Sequence, residues 1–268
     1  MEEEIKEKLK IYFPESDFKI SYDSEEDVYE ILSNNETNDI CLLFKIEDDH
    51  IIIEYLSKCK TSGKDNLSKI EHFATTIPSI NYISLDDNSV LLLYKDESNF
   101  AKNIIIKLYV FFILCNNESW YNTKGYKSKE NHIDNQRNNF IQLNKNIIDF
   151  LIECFHKYGI TDQTKIRQLL SGIQLFTSIN VRELSVQHFF NIVKDTIISN
   201  PNCDEDKEKY KWLREILDII DYSELLQYDK NLTKDIVKKG GKRRKTRKTR
   251  YKIKKNKQNK KNKTKKTK

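Results

Sequence analysis

Ile40-Cys-Leu-Leu-Phe-Lys-Ile-Glu-Asp-Asp-His-Ile-Ile-Ile-Glu-Tyr-Leu-Ser-Lys-Cys-Lys-Thr-Ser-Gly-Lys-Asp-Asn-Leu67 is the stretch that decides the fold. Two apolar runs, residues 40–46 and 51–56, flank the acidic turn Glu47-Asp48-Asp49, which predicts an antiparallel hairpin. After Cys59 the period changes. Leu67, Ile70, Phe73, Ala74 and Ile77 fall at helical spacing, and Pro78 closes the segment. Strand, turn, strand, glycine-bearing loop and helix therefore follow one another within about forty residues, an α/β arrangement.

Upstream, Phe18, Ile20 and Tyr22 alternate and residues 28–32 form a looser apolar run, so this half begins as a meander. Downstream, residues 80–85 and 90–94 read as strands. Residues 104–115, apolar apart from Lys107 and the polar-capable Tyr109 and Cys115, are read as a buried helix. Beyond Phe140 the pattern is helical: Leu143, Ile147, Leu151 and Phe155 form a stripe ending at Tyr158-Gly159, where glycine suits the left-handed position after a helix. Further helices are expected over 162–173, 185–198, 206–220 and 223–228. The domain reading is an α/β domain over 1–128, a linker over 129–139, an all-α domain over 140–237 and a disordered basic tail over 238–268.

Charge separates that tail from the rest. The 268 residues carry a net charge of +6, yet residues 238–268 hold 19 Lys and Arg and no acid, which leaves 28 bases against 41 acids before them, net −13. So many like charges with almost no apolar residues cannot bury enough surface to offset the entropy of ordering. The start, Met1-Glu-Glu-Glu-Ile5, lacks the basic flank and apolar region of a secretory leader, and the most apolar run is shorter than the roughly 20 residues a bilayer span needs. The expectation is an intracellular protein away from membranes. Five cysteines, Cys41, Cys59, Cys115, Cys154 and Cys203, show no CxxC spacing and are expected to be reduced, and the five histidines show no metal spacing.

The order strand, loop, helix, strand, helix, followed by Ser119-Trp-Tyr-Asn-Thr-Lys-Gly-Tyr126, resembles the GNAT N-acetyltransferase superfamily over about residues 15–128. The resemblance implies a mixed sheet with flanking helices, acetyl-CoA as acyl donor, an amine acceptor and no metal. It implies that Lys60, Thr61, Ser62, Gly63, Lys64 and Asp65, with the positive end of the helix that follows, hold the coenzyme pyrophosphate. It also implies Glu54 as general base and Tyr121 as the acid that protonates the departing thiolate. Asp65 stands where the family pattern has a second Gly or Ala, and no Arg or Gln heads the loop. Alternatives are open at each position: a plain strand-to-helix turn at Ser62-Gly63-Lys64, a solvent-facing strand residue at Glu54, a core residue at Tyr121, and a fold retained without activity.

The tail segment Gly240-Gly-Lys-Arg-Arg-Lys-Thr-Arg-Lys-Thr-Arg250 resembles endings common on proteins of giant DNA viruses, which implies a host cytoplasm, nucleus or virion setting. Lys242, Arg243, Arg244, Lys245, Arg247, Lys248 and Arg250 are its candidate nucleic-acid contacts, through counterion release and without sequence specificity. This supports the alternative function, a non-enzymatic nucleic-acid-binding or virion-associated protein. The Gly240-Gly241 hinge also lets the tail reach the acidic body.

Overall fold

The two apolar runs form β3 (Ile40–Ile46) and β4 (His50–Leu56), antiparallel as expected, with Ile46 opposite Ile51 and Phe44 opposite Ile53. They lie inside a six-stranded sheet in a computed structural model that describes residues 2–14, 16–34, 40–57, 62–96, 102–129, 132–199 and 206–238. The meander β1 (Phe18–Asp23) and β2 (Val28–Asn34) extends the sheet on the β3 side. On the other side the helix α2 (Gly63–Thr76) crosses over to β5 (Tyr82–Asp86), which runs parallel to β4, and β8 (Asn231–Asp235) pairs antiparallel with β5. The sheet order is β1-β2-β3-β4-β5-β8.

Period-two alternation puts Ile31, Phe44, Ile51, Ile53, Ile83, Leu85 and Leu232 on one face, all buried against Leu67, Ile70, Phe73 and Ala74 of α2. The helix α1 (Glu2–Tyr12) adds Ile5 and Leu9 to the same core. Its two buried apolar residues sit a single helical turn apart among charges, too sparse a stripe to read from sequence, while Glu2, Glu3 and Glu4 in the first turn and Lys10 in the last complement the helix dipole.

A second core forms around the helices. Residues 104–115 are not one helix: β7 (Ile104–Lys107) pairs with β6 (Val90–Tyr94) in a two-stranded sheet, and only then does α3 (Leu108–Asn116) begin. A uniformly apolar run carries no period to mark that switch. After the short α4 (Trp120–Thr123), the helices α5 (His132–Leu143), α6 (Ile147–Tyr158), α7 (Gln163–Ser171), α8 (Val186–Ser199) and α9 (Lys207–Tyr222) follow. Leu143, Phe150, Phe155, Phe189, Phe190, Trp212 and Ile216 bury together with Ile104, Ile106 and Leu114. Gly159 closes α6 with φ of 90°, as its sequence position predicts.

Three readings are corrected. Within the polar stretch 129–139, expected as a linker, residues 132–139 form the first part of α5, and buried Asn139 donates to the carbonyl of Gln227 at 2.8 Å. No helix spans 223–228: Ser223 Oγ donates to Ile220 O at 2.7 Å to finish α9, and Glu224 turns out of the helix with φ of 54°. Cys41 is disulfide-bonded rather than reduced, whereas Cys115 and Cys154 are free and buried. Cys59, Cys203 and the basic segment from residue 239 onward lie outside the described residues.

Burial pushes the Cys115 and Cys154 thiols from an ordinary 9.0 up to about 12. A group whose folded pKa is raised contributes stability that is present below its unfolded pKa and lost as pH rises through the folded value. Stability is therefore expected to fall between pH 9 and 12, and both thiols to resist alkylation at pH 8 until the chain is unfolded, a difference read by mass spectrometry. Gly172 is a second test of the core. A Cβ there would stand 2.0 Å from Trp212 Nε1, which donates to Leu169 O at 2.7 Å. Gly172→Ala is expected to displace the indole and lower stability by about 3 kcal/mol in denaturant unfolding.

Candidate functional site

β4 and β5 pair only from His50–Tyr82 to Ile53–Leu85. Beyond that rung they part: β4 continues against β3 alone, with Tyr55 opposite Leu43 and Leu56 opposite Leu42, while Asp86 pairs with Asn231 of β8. The register also skips a residue, because Leu43 faces Tyr55 and Phe44 faces Ile53, which leaves Glu54 as the extra residue of a β-bulge. Bulges re-aim side chains and interrupt pairing next to functional sites.

The parting opens a cleft of about 730 Å³. Ile52, Ser84 and Thr233 contribute from the sheet face turned away from α1 and α2. Glu54, Asp86 and Asn88, with Asp229 just before β8 and Asn231 at its start, line the rest, and among the described residues Lys129 is the one basic residue in the lining. In sheets with parallel strands, ligands bind in the crevice beyond the carboxyl ends of those strands, which is where this cleft lies.

Its charge is acidic. Glu54 pairs with Lys45 at 2.8 Å, and that carboxylate is the main reason the Lys45 ammonium holds its proton more tightly than usual. Asp86 and Asp229 have no ion pair among the described residues, although Asp229 Oδ1 accepts from Asn231 N at 3.0 Å. The Lys129 ammonium lies over the Tyr82 ring, 5.5 Å from its centre. Burial raises the Tyr82 phenol, with Asp49 and Glu47 adding to the effect. Among the described residues no three His, Cys, Asp or Glu side chains gather closely enough to hold a metal ion.

Tyr121 is elsewhere. It opens α4, is 9% exposed, and packs edge-on against Trp120 and Tyr126, with ring centres 4.9 and 6.0 Å away, in the core shared with α2. Tyr126 in turn lies under Lys234, whose ammonium pairs with Glu71 of α2 at 2.8 Å. The structure therefore sets Tyr121 on the helix-covered side of the sheet and Glu54 on the open side. Burial raises the Tyr121 phenol to about 12.

At the start of α2, Ser62 is the N-cap. Its Oγ accepts from Asp65 N at 3.2 Å and donates to Asp65 Oδ2 at 2.7 Å, so the helix caps itself. The Asp65 carboxylate already answers the positive helix end, and an added Cβ on Gly63 would meet nothing within 4 Å. These residues fit a self-capped helix start better than a pyrophosphate cradle. Lys64 follows in the first turn, while Lys60, Thr61 and the basic positions Lys242 to Arg250 lie outside the described residues.

Sequence reasoning found Glu54 but missed Asp86, Asp229 and Lys129. Asp86 ends an alternating strand, a visible signal; Asp229 precedes a strand hidden in a region read as helical. No family model, no curated protein and no solved structure matches this chain.

Proposed function

We propose that this chain is an N-acetyltransferase-like protein whose parted strands form a cleft for a cationic amine. The observation that carries the reading is the convergence of Glu54, Asp86 and Asp229 on one cleft at the carboxyl ends of β4 and β5. Carboxylates around a partly apolar floor favour an ammonium or guanidinium group carried on a methylene chain. The bulged Glu54 is placed to accept a proton from such an amine once a ligand ammonium replaces Lys45 beside it.

The strand, loop, helix, strand order and the parted parallel edges support the acetyltransferase likeness, since an extended amide-bearing arm could bond to backbone left unpaired there. The coenzyme end fits less well. Its pyrophosphate would meet Asp65, and Tyr121 lies across the sheet from Glu54. Calorimetric titration of spermine into the full chain tests the proposal: saturable binding that weakens in Glu54→Gln supports it, and no heat at millimolar amine refutes it.

The basic segment supports a second reading. Its 19 Lys and Arg without an acid favour binding to nucleic acid or another polyanion, with affinity falling steeply as salt rises.

A further inference from the structure

Among the described residues no helix lies over the sheet face that carries the cleft. α1 and α2 cover the opposite face, and on the open side Ile52, Tyr82, Ser84 and Thr233 are half-buried while Tyr55 is 46% exposed. Acids flank it at both ends. Glu54, Asp86 and Asp229 stand at the cleft; Glu47 and Asp49 lie near Tyr82, where Asp235 pairs across from β8.

The chain leaves the sheet at the Tyr82 end. Asp235 is opposite Tyr82, and Lys238 Nζ then donates to the carbonyl of Pro78. Residues 239–268 follow, with 18 Lys and Arg and no acid. We propose that this segment folds back across the open face and places a lysine or arginine of residues 242–250 in the cleft, making it the cleft's resident cation. The inference rests on the cleft's taking cations, as proposed above.

Reach is ample. From the Asp235–Tyr82 pair to the Asn231–Asp86 pair is four residue steps, about 14 Å, which an extended chain covers in four or five residues. Lys242 lies seven positions beyond Asp235, and Gly240-Gly241 lets the chain reverse between them. Lys129 already shows the chemistry, with its ammonium held over Tyr82 on this face. Because the segment is tethered, its local concentration is of the order of millimolar, enough to compete with free amines. A polyanion that captures the segment must then raise the cleft's affinity for amines, and the coupling is reciprocal.

The test compares the full chain with a full chain in which Lys242, Arg243, Arg244, Lys245, Arg247, Lys248 and Arg250 are all changed to Gln. Spermine is expected to bind the changed chain about tenfold more tightly at low salt, and a single-stranded DNA oligonucleotide to bring the original chain close to that affinity. Equal affinity in both chains overturns the docking and leaves the cleft reading intact. If spermine binds neither chain, the cleft reading fails, and carbodiimide cross-linking of the original chain decides the docking separately. Amide links from Lys242, Lys245 or Lys248 to Glu54, Asp86 or Asp229, lost at about 0.5 M salt, uphold it. Links confined to other acids overturn it.

Discussion

Replacing Asp87 by Ala is expected to lower the stability of the fold by about 3–5 kcal/mol, measured by urea unfolding. Asp87 is fully buried, and no lysine or arginine pairs with it among the described residues. Its carboxylate instead accepts from Ser89 Oγ at 2.5 Å, from Ser89 N at 3.3 Å and from the Tyr228 hydroxyl. The same Tyr228 hydroxyl lies 3.2 Å from Ser119 Oγ, and its ring stacks on Tyr109, centres 5.1 Å apart. Tyr109 donates to Asp221, which also pairs with Lys107. Tyr228 packs against both cores, so Asp87 sits where the sheet layer meets the helical layer. Removing it takes their acceptor from the part-buried Ser89 hydroxyl and amide and leaves the Tyr228 hydroxyl with Ser119 Oγ alone. Asp86→Ala, one residue away and exposed, is expected to change stability by less than about 0.5 kcal/mol.

The chain with both Asp86→Lys and Asp229→Lys is expected to bind spermine about a hundredfold more weakly and to gain affinity for acetyl-CoA. Both carboxylates line the same cleft and neither is neutralised by an ion pair among the described residues, so reversal turns two attractions into two repulsions. Both positions are partly open to solvent, so the chain keeps its fold and the change appears in binding alone. A stability loss like that of Asp87→Ala would instead mean that these carboxylates hold the structure together.

The hairpin, α2 and the main helices were legible because their apolar periods are unambiguous: Phe44 and Ile46 against Ile51 and Ile53, and Leu67, Ile70 and Phe73 on one helical stripe. The split of residues 104–115 into β7 and α3 was not legible, because the run has no polar punctuation at the switch. β8 escaped for a different reason. Asn231-Leu-Thr-Lys-Asp235 carries a single buried apolar residue, Leu232, and becomes a strand only because β5 offers it an edge. That pairing brings Asp229 to the cleft, so one of the three rim acids depends on a pairing between residues about 150 positions apart. Ser62 and Asp65 show the opposite case. Their stretch is legible both as a phosphate loop and as a plain strand-to-helix turn, and only the bonds from Ser62 Oγ to the Asp65 amide and carboxylate favour the second.

The most direct test of the account is to titrate spermine and acetyl-CoA separately into the full chain with every Lys and Arg of residues 239–268 changed to Gln, so that neither ligand meets the basic segment. The account predicts saturable spermine binding that Asp86→Asn with Asp229→Asn abolishes, and acetyl-CoA binding weaker than spermine binding. Acetyl-CoA binding tightly while spermine gives no heat would contradict it, and would return the cleft to the coenzyme.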